Sequence, residues 1–268
     1  MTAATINIDF DKLLEVALKG VRRASVFMGL GVNAAIDKDF KNYQLSPLTN
    51  IQLVPDNVPE ENLKHIKEEF RVWIEAGGFR ELADTFARYL DSVHHTCLVM
   101  KAVREKTSVT DFSDVHLKFR SEGFPNKLNI LQQRFSVGPA HGPQLISLSR
   151  ARNCLTHRNG IVGEEDLRGE TEFSAKWHGM DVFIEEPNGK RHPFNETPPE
   201  GLLLPEGGSV KMQFVERVRS FKRGEKLLLS TRDLAEVCWF YDRKARSVLK
   251  SVVAFARSIG IEPQEKAT

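Results

Sequence analysis

Apolar residues recur at helical spacing through most of this chain, and only one stretch departs from that period. Leu13, Leu14, Ala17, Val21 and Ala24 fall on one side of a first helix. Asp9 is placed to cap it, and Gly29 or Gly31 to end it. Residues 37–59 carry Pro47, Pro55 and Pro59 and read as a surface loop. Pro59 then opens a charged helix with Leu63, Ile66, Phe70 and Trp73 at helical spacing, which Gly77-Gly78 is expected to break or kink. From Phe79 a long helix continues through Leu82, Phe86, Tyr89, Leu90, Val93, Cys97 and Met100 to about Glu105. Residues 107–123 fit either a loop or a short helix, and 125–135 a short helix. Gly138 to Pro143 is a tight connection into another helix, with His141, between Gly138 and Gly142, read as a loop residue rather than a catalyst. That helix carries Leu145, Leu148, Cys154 and Leu155 and stops at Gly160.

After Gly163 the period changes to two. Thr171, Phe173, Ala175 and Trp177 alternate with polar residues, as in a half-buried strand. Gly179 is expected to turn that strand into Met180 to Glu185, and Asn188-Gly189 to make a second turn. A long loop should follow from Lys190 to Gly208, then a strand from Val210 to Phe221 and a last short strand from Lys226 to Leu229. Helical spacing returns where Ser230 and Asp233 form a capping box. Leu234, Val237, Cys238, Tyr241, Ala245, Val248, Val252 and Phe255 make the inner stripe of this final helix. The fold class expected is therefore mainly α, a helical bundle with a small antiparallel β insertion before the last helix. The parts are a bundle over 1–162, a β-rich insertion over 163–229, and the final helix and tail over 230–268.

Composition narrows the function classes. With 268 residues the chain can bury a sizeable core. A formal net charge of +2 with 28% charged residues is not that of a polybasic nucleic-acid binder, so any attraction to RNA must be local. Cys97, Cys154 and Cys238 lie far apart with no paired-cysteine motif, which suits a reducing cytoplasm. No signal peptide and no apolar run of roughly 20 residues is visible, so neither secretion nor a membrane partner is expected. Asp91, His94 and His95 lack a third ligand at suitable spacing, and no metal or other cofactor is expected. Arg243, Lys244, Arg246, Lys250 and Arg257 on the last helix fit a solvated face or, alternatively, a track for RNA.

The chemistry gathers in Ser149–Val162, S-R-A-R-N-C-L-T-H-R-N-G-I-V. Arg152 supplies a fixed cation with a planar fork of donors suited to phosphate. His157 can give or take a proton near neutral pH. Asn153 both donates and accepts. On a helix Asn153 and His157, four apart, share a face, with Arg152 about 100° round. The structural alternative is that Arg and His merely complement the carbonyl end of a helix. Other pairs at such spacing, including Arg88/His94 and Arg134/His141, lack the helix-end setting.

In that setting Arg152-Asn153-Cys154-Leu155-Thr156-His157 resembles the signature R-x(4-6)-H of the HEPN superfamily (higher eukaryotes and prokaryotes nucleotide-binding), often with a polar residue after the arginine. The resemblance rests on about fifteen residues and their helical surroundings; residues 163–229 fall outside the minimal bundle. It implies an all-α bundle and, for many members, a metal-independent endoribonuclease that works as a homodimer around a shared cleft, in a toxin or defence role. Other members are binding or assembly modules. It implies catalytic roles for Arg152, Asn153 and His157 and cleavage to 2′,3′-cyclic phosphate and 5′-hydroxyl ends. Arg150, Arg158 and Asn159 are adjacent candidates for RNA contact. The partners implied are RNA, a second copy of the chain, and an antitoxin or other protein. The alternative function is a non-catalytic module binding nucleotide, nucleic acid or protein.

Overall fold

The structure is a computed structural model that describes residues 7–41, 58–107, 112–138, 142–193 and 207–262. Its elements in order are α1 (Phe10–Ile36), α2 (Glu60–Glu105), α3 (Ser113–Ser121), α4 (Phe124–Phe135), α5 (Gly142–Arg158), α6 (Glu164–Leu167), β1 (Phe173–Glu185), β2 (Arg191–Pro193), β3 (Ser209–Phe221) and α7 (Thr231–Ser258). The fold is mainly helical, with one three-stranded antiparallel sheet, order β2-β1-β3, placed before the last helix. No helix among the described residues is long and apolar enough to cross a membrane.

Caps and one-sided apolar stripes build the helices as the pattern predicts. Asp9 accepts from the backbone N–H groups of Asp11 and Lys12 at the start of α1. Ser230 and Asp233 form the reciprocal box that starts α7. From α7, Leu234, Val237, Cys238, Tyr241, Ala245, Val248 and Val252 are buried against α1, α2 and β1. The first part of β1 presents Phe173, Ala175 and Trp177 to that same core, so the base of the sheet is fused to the bundle. Trp177 Nε1 donates to Glu236 at 3.1 Å, which satisfies the indole where it is buried.

The glycines correct several boundaries. α1 runs past Gly29 and Gly31 to Ile36, and α2 is one helix of 46 residues through Gly77-Gly78. Gly20, Gly31 and Gly78 are buried where α1 and α2 cross, and each admits a neighbour that a side chain would displace. A Cβ at Gly20 would lie 2.4 Å from Thr85 Cβ, and one at Gly31 2.7 Å from Ile74 carbons. A Cβ at Gly78 would lie 2.2 Å from Met28 Sδ. These glycines permit close approach of two helices and do not end either. Gly179 likewise makes no turn. β1 continues through it as a 13-residue strand, and the missing side chain makes room for the Glu236 carboxylate. Residues 226–229 form no strand; Lys226 contributes only an isolated bridge to Ile161. The loop expected after Lys190 opens with the short strand β2, and residues 107–123 contain α3. His141 and most of the loop at 37–59 lie outside the described residues.

Gly20 and Gly29 therefore predict opposite responses to the same substitution. Nothing lies within 4 Å of a Cβ at Gly29. Gly29→Ala should raise the unfolding free energy by about 0.5–1 kcal/mol through helix propensity alone. Gly20→Ala gains the same preference but forces α1 from α2, and overpacking at about 1–3 kcal/mol outweighs it. Urea denaturation of both variants checks this; equal stabilisation by the two would mean that α1 and α2 do not meet at Gly20.

Candidate active site

α5 delivers the motif to an exposed helix end. Leu145, Leu148, Ala151, Cys154 and Leu155 are buried and anchor it to α2 and β1. The helix stops where Asn159 and Gly160 adopt positive φ of 51° and 75°. The Gly160 N–H then reaches back to the Cys154 carbonyl at 3.2 Å. Leu227 donates to the Gly160 carbonyl at 2.7 Å, which ties the segment before α7 to this helix end.

Arg152, Asn153 and His157 share that end but differ in their attachments. The Arg152 side chain is 23% exposed and spans two partners. Its Nη2 donates to Asp84 Oδ1 of α2 at 3.1 Å, and its Nη1 to Asn153 Oδ1 at 3.0 Å. Arg152 Nε is enclosed without a partner among the described residues. Asn153 and His157 are exposed on one face of α5. His157 has no hydrogen-bond partner among the described residues. One amide thus orients the guanidinium, and one imidazole one turn on is open to solvent.

The neighbouring basic residues are committed elsewhere. Arg158 places its fork on Asp166, with Nε to Oδ2 at 2.8 Å and Nη2 to Oδ1. The same carboxylate accepts from Gly163 N–H at 2.9 Å, and Arg150 Nη2 donates to the Asp166 carbonyl. The Arg150 guanidinium also lies over the Phe173 ring, 5.4 Å from its centroid. Arg150 and Arg158 therefore hold the α5–α6 corner together through Asp166. Asn159 stays exposed. On α7, Lys244 departs from the expected solvated face: it is 8% exposed, and burial lowers its pKa to about 8. Arg246 is paired with Asp242, and Arg243 lies 3.9 Å from the Phe214 ring centroid. Neither has an unengaged cation to offer as a track.

Sequence reasoning missed Asp84, the anchor of Arg152. It lies 68 residues earlier in the chain, and nothing local marks it out. It also placed Trp73 with the apolar stripe of its helix, whereas Trp73 is 70% exposed. Asp91, His94 and His95 do not converge. Asp91 takes the buried Lys127 ammonium at 2.6 Å, and His94 faces His116. Among the described residues no group of three or more His, Cys, Asp or Glu is arranged to hold a metal ion. Compared with protein-family models, with curated proteins and with solved structures, the chain gives no significant match.

Proposed function

We propose that this chain is a metal-independent endoribonuclease of the HEPN type. The observation that carries the reading is the end of α5. There an exposed, unengaged His157 stands one turn from Asn153, which itself positions the Arg152 guanidinium. In the proposed reaction the RNA 2′-hydroxyl attacks the adjacent phosphorus and the bond to the 5′-oxygen breaks. The products are a 2′,3′-cyclic phosphate and a 5′-hydroxyl. One His157 removes the proton from the nucleophile, and His157 of a second copy protonates the leaving oxygen. Arg152 stabilises the charge that grows on the phosphoryl oxygens. To do so it exchanges Asp84, whose side chain is 46% exposed, for the phosphate. Asn153 keeps the fork in place during that exchange. A cytoplasmic toxin or defence role, with an antitoxin or similar protein partner, belongs to the same proposal. Cys97, Cys154 and Cys238 are buried free thiols, in keeping with a reducing compartment.

A single histidine serves as base or acid in one turnover, so the proposal requires a homodimer with the α5 ends near the two-fold axis. Light scattering at micromolar concentration should give twice the 30.4 kDa chain mass. A monomer with and without RNA would remove the second proton carrier. One observation favours a non-catalytic binding module instead: both Nη groups of Arg152 are already engaged, by Asn153 and Asp84. Incubation of purified protein with mixed RNA in chelator, beside the Arg152/His157 double variant, separates the two readings.

A further inference from the structure

Beside the motif lies a groove of about 860 Å³ between the first half of α2 and the end of α5, closed at one side by residues 224–226. That volume is within the range of small-ligand sites, roughly 300–1,000 Å³. Its features are not those of a surface that merely happens to be concave. Trp73 stands 70% exposed in it, beside Phe70 with ring centroids 6.3 Å apart. Arg80 and Lys226 reach its rim, both exposed and with no ion-pair partner among the described residues. The lining carboxylate Glu69 faces His65 at 3.5 Å. Asn159 and Ile161, which follow directly on the motif helix, complete the wall.

The groove and the motif share one seam. On α2, Arg80 lies one turn before Asp84, the residue that holds Arg152. On α5, Thr156 lines the groove one turn after Arg152 and immediately before His157. The groove thus begins about one helix turn from the Arg152–Asp84 pair on both α2 and α5.

The geometry points to a subsite for a nucleotide of single-stranded RNA: its base lies on the exposed face of Trp73, and its flanking phosphates meet Arg80 and Lys226. An exposed aromatic face beside exposed cations is the pairing that holds single-stranded nucleic acid, because every base has a face to stack. The Asn159 amide can donate to and accept from a base edge. The inference rests on the ribonuclease reading for the path of the strand. The base and phosphate contacts need no 2′-hydroxyl, so binding in the groove and cleavage at His157 are separable.

The test is fluorescence anisotropy with a labelled eight-nucleotide single-stranded RNA of mixed sequence and the matching DNA. His157→Ala is the background throughout, so that nothing is cut. Trp73→Ala should weaken RNA binding about tenfold, since a stacked base is worth roughly 1–3 kcal/mol and 1.4 kcal/mol is a factor of ten. Trp73→Phe should recover most of that loss. Arg80→Ala with Lys226→Ala should flatten the dependence of log K on log salt by about 1.4, the release expected for two phosphate contacts on a single strand. The DNA should bind within a few-fold of the RNA. An unaltered affinity in Trp73→Ala, or no binding of either oligonucleotide, overturns the subsite. If the otherwise wild-type chain cuts RNA while Trp73→Ala binds normally, the subsite fails and the ribonuclease reading stands. If binding depends on Trp73 but the wild type cuts nothing, the subsite stands and the ribonuclease reading fails.

Discussion

His157→Ala is expected to abolish RNA cleavage while leaving the fold untouched. Proton transfer by a positioned side chain is worth about 10²–10⁴ in rate, so the loss should be of at least that order. The stability cost should be small. His157 is exposed at a helix end and donates to nothing among the described residues, and such surface positions change stability by roughly 0.5 kcal/mol or less. Arg152→Lys should fall nearly as far. A lysine ammonium can replace the charge toward Asp84, but it cannot keep a second donor on Asn153 Oδ1 and present a flat fork to phosphate. Asp84→Asn separates holding from chemistry. It weakens the ion pair that competes with substrate, so cleavage should persist or rise if Arg152 acts on phosphate, and fall if the pair is needed to orient it. Cleavage should continue in chelator and should stop when the substrate ribose is replaced by deoxyribose. Gel analysis of a labelled RNA, with the end groups identified by phosphatase and kinase treatment, reads all of these. A wild type that cuts no RNA in any condition, or a His157→Ala variant that cuts normally, would sink the catalytic reading and leave the binding module.

What the sequence made legible follows from how local each signal is. The α7 stripe and its Ser230/Asp233 box are complete within one element, and the structure buries that stripe. The period-two stretch around Trp177 is equally local, and the sheet lies there. Glycine is where locality fails. Gly160 and Gly31 look alike in sequence, yet one closes α5 at φ 75° and the other lets Ile74 approach α1. The difference depends on a partner helix that no window around Gly31 contains. The same holds for the site. The exposed end of α5 could be read from its apolar spacing and its stop. Which arginines are engaged could not, because Asp84 and Asp166 reach them only through packing. Arg150, Arg152 and Arg158 form one basic cluster in sequence. In space only Arg152 points toward α2, while the other two hold Asp166.

Acid should unfold this protein through His94, well away from the motif. His94 is fully buried in α2, its ring stacked on Phe119 with centroids 3.9 Å apart and edge-on to Phe135. Its Nδ1 lies 3.1 Å from His116 Nδ1, so the two rings share one proton, and its Nε2 has no partner among the described residues. Burial first, then the nearby His116, Arg134, His95 and Lys127, push its pKa down from 6.5 to about 3. Asp91 is the nearby anion, but it is engaged by Lys127. His116 is lowered too, chiefly by burial. Between pH 6.5 and 3 the unfolded chain binds a proton at His94 that the folded chain refuses, so stability is complete above about 6.5 and falls as pH drops through that window. At 1.36 kcal/mol per unit, the loss from this one group is on the order of 3 kcal/mol by pH 4. His94→Leu removes the titration, and water can reach the half-buried His116 that it leaves behind. Urea midpoints from pH 7 to pH 4 should therefore fall more steeply for the wild type than for His94→Leu, the curves converging or crossing as the medium becomes acidic. Parallel curves would show that His94 is not the group that acid must charge.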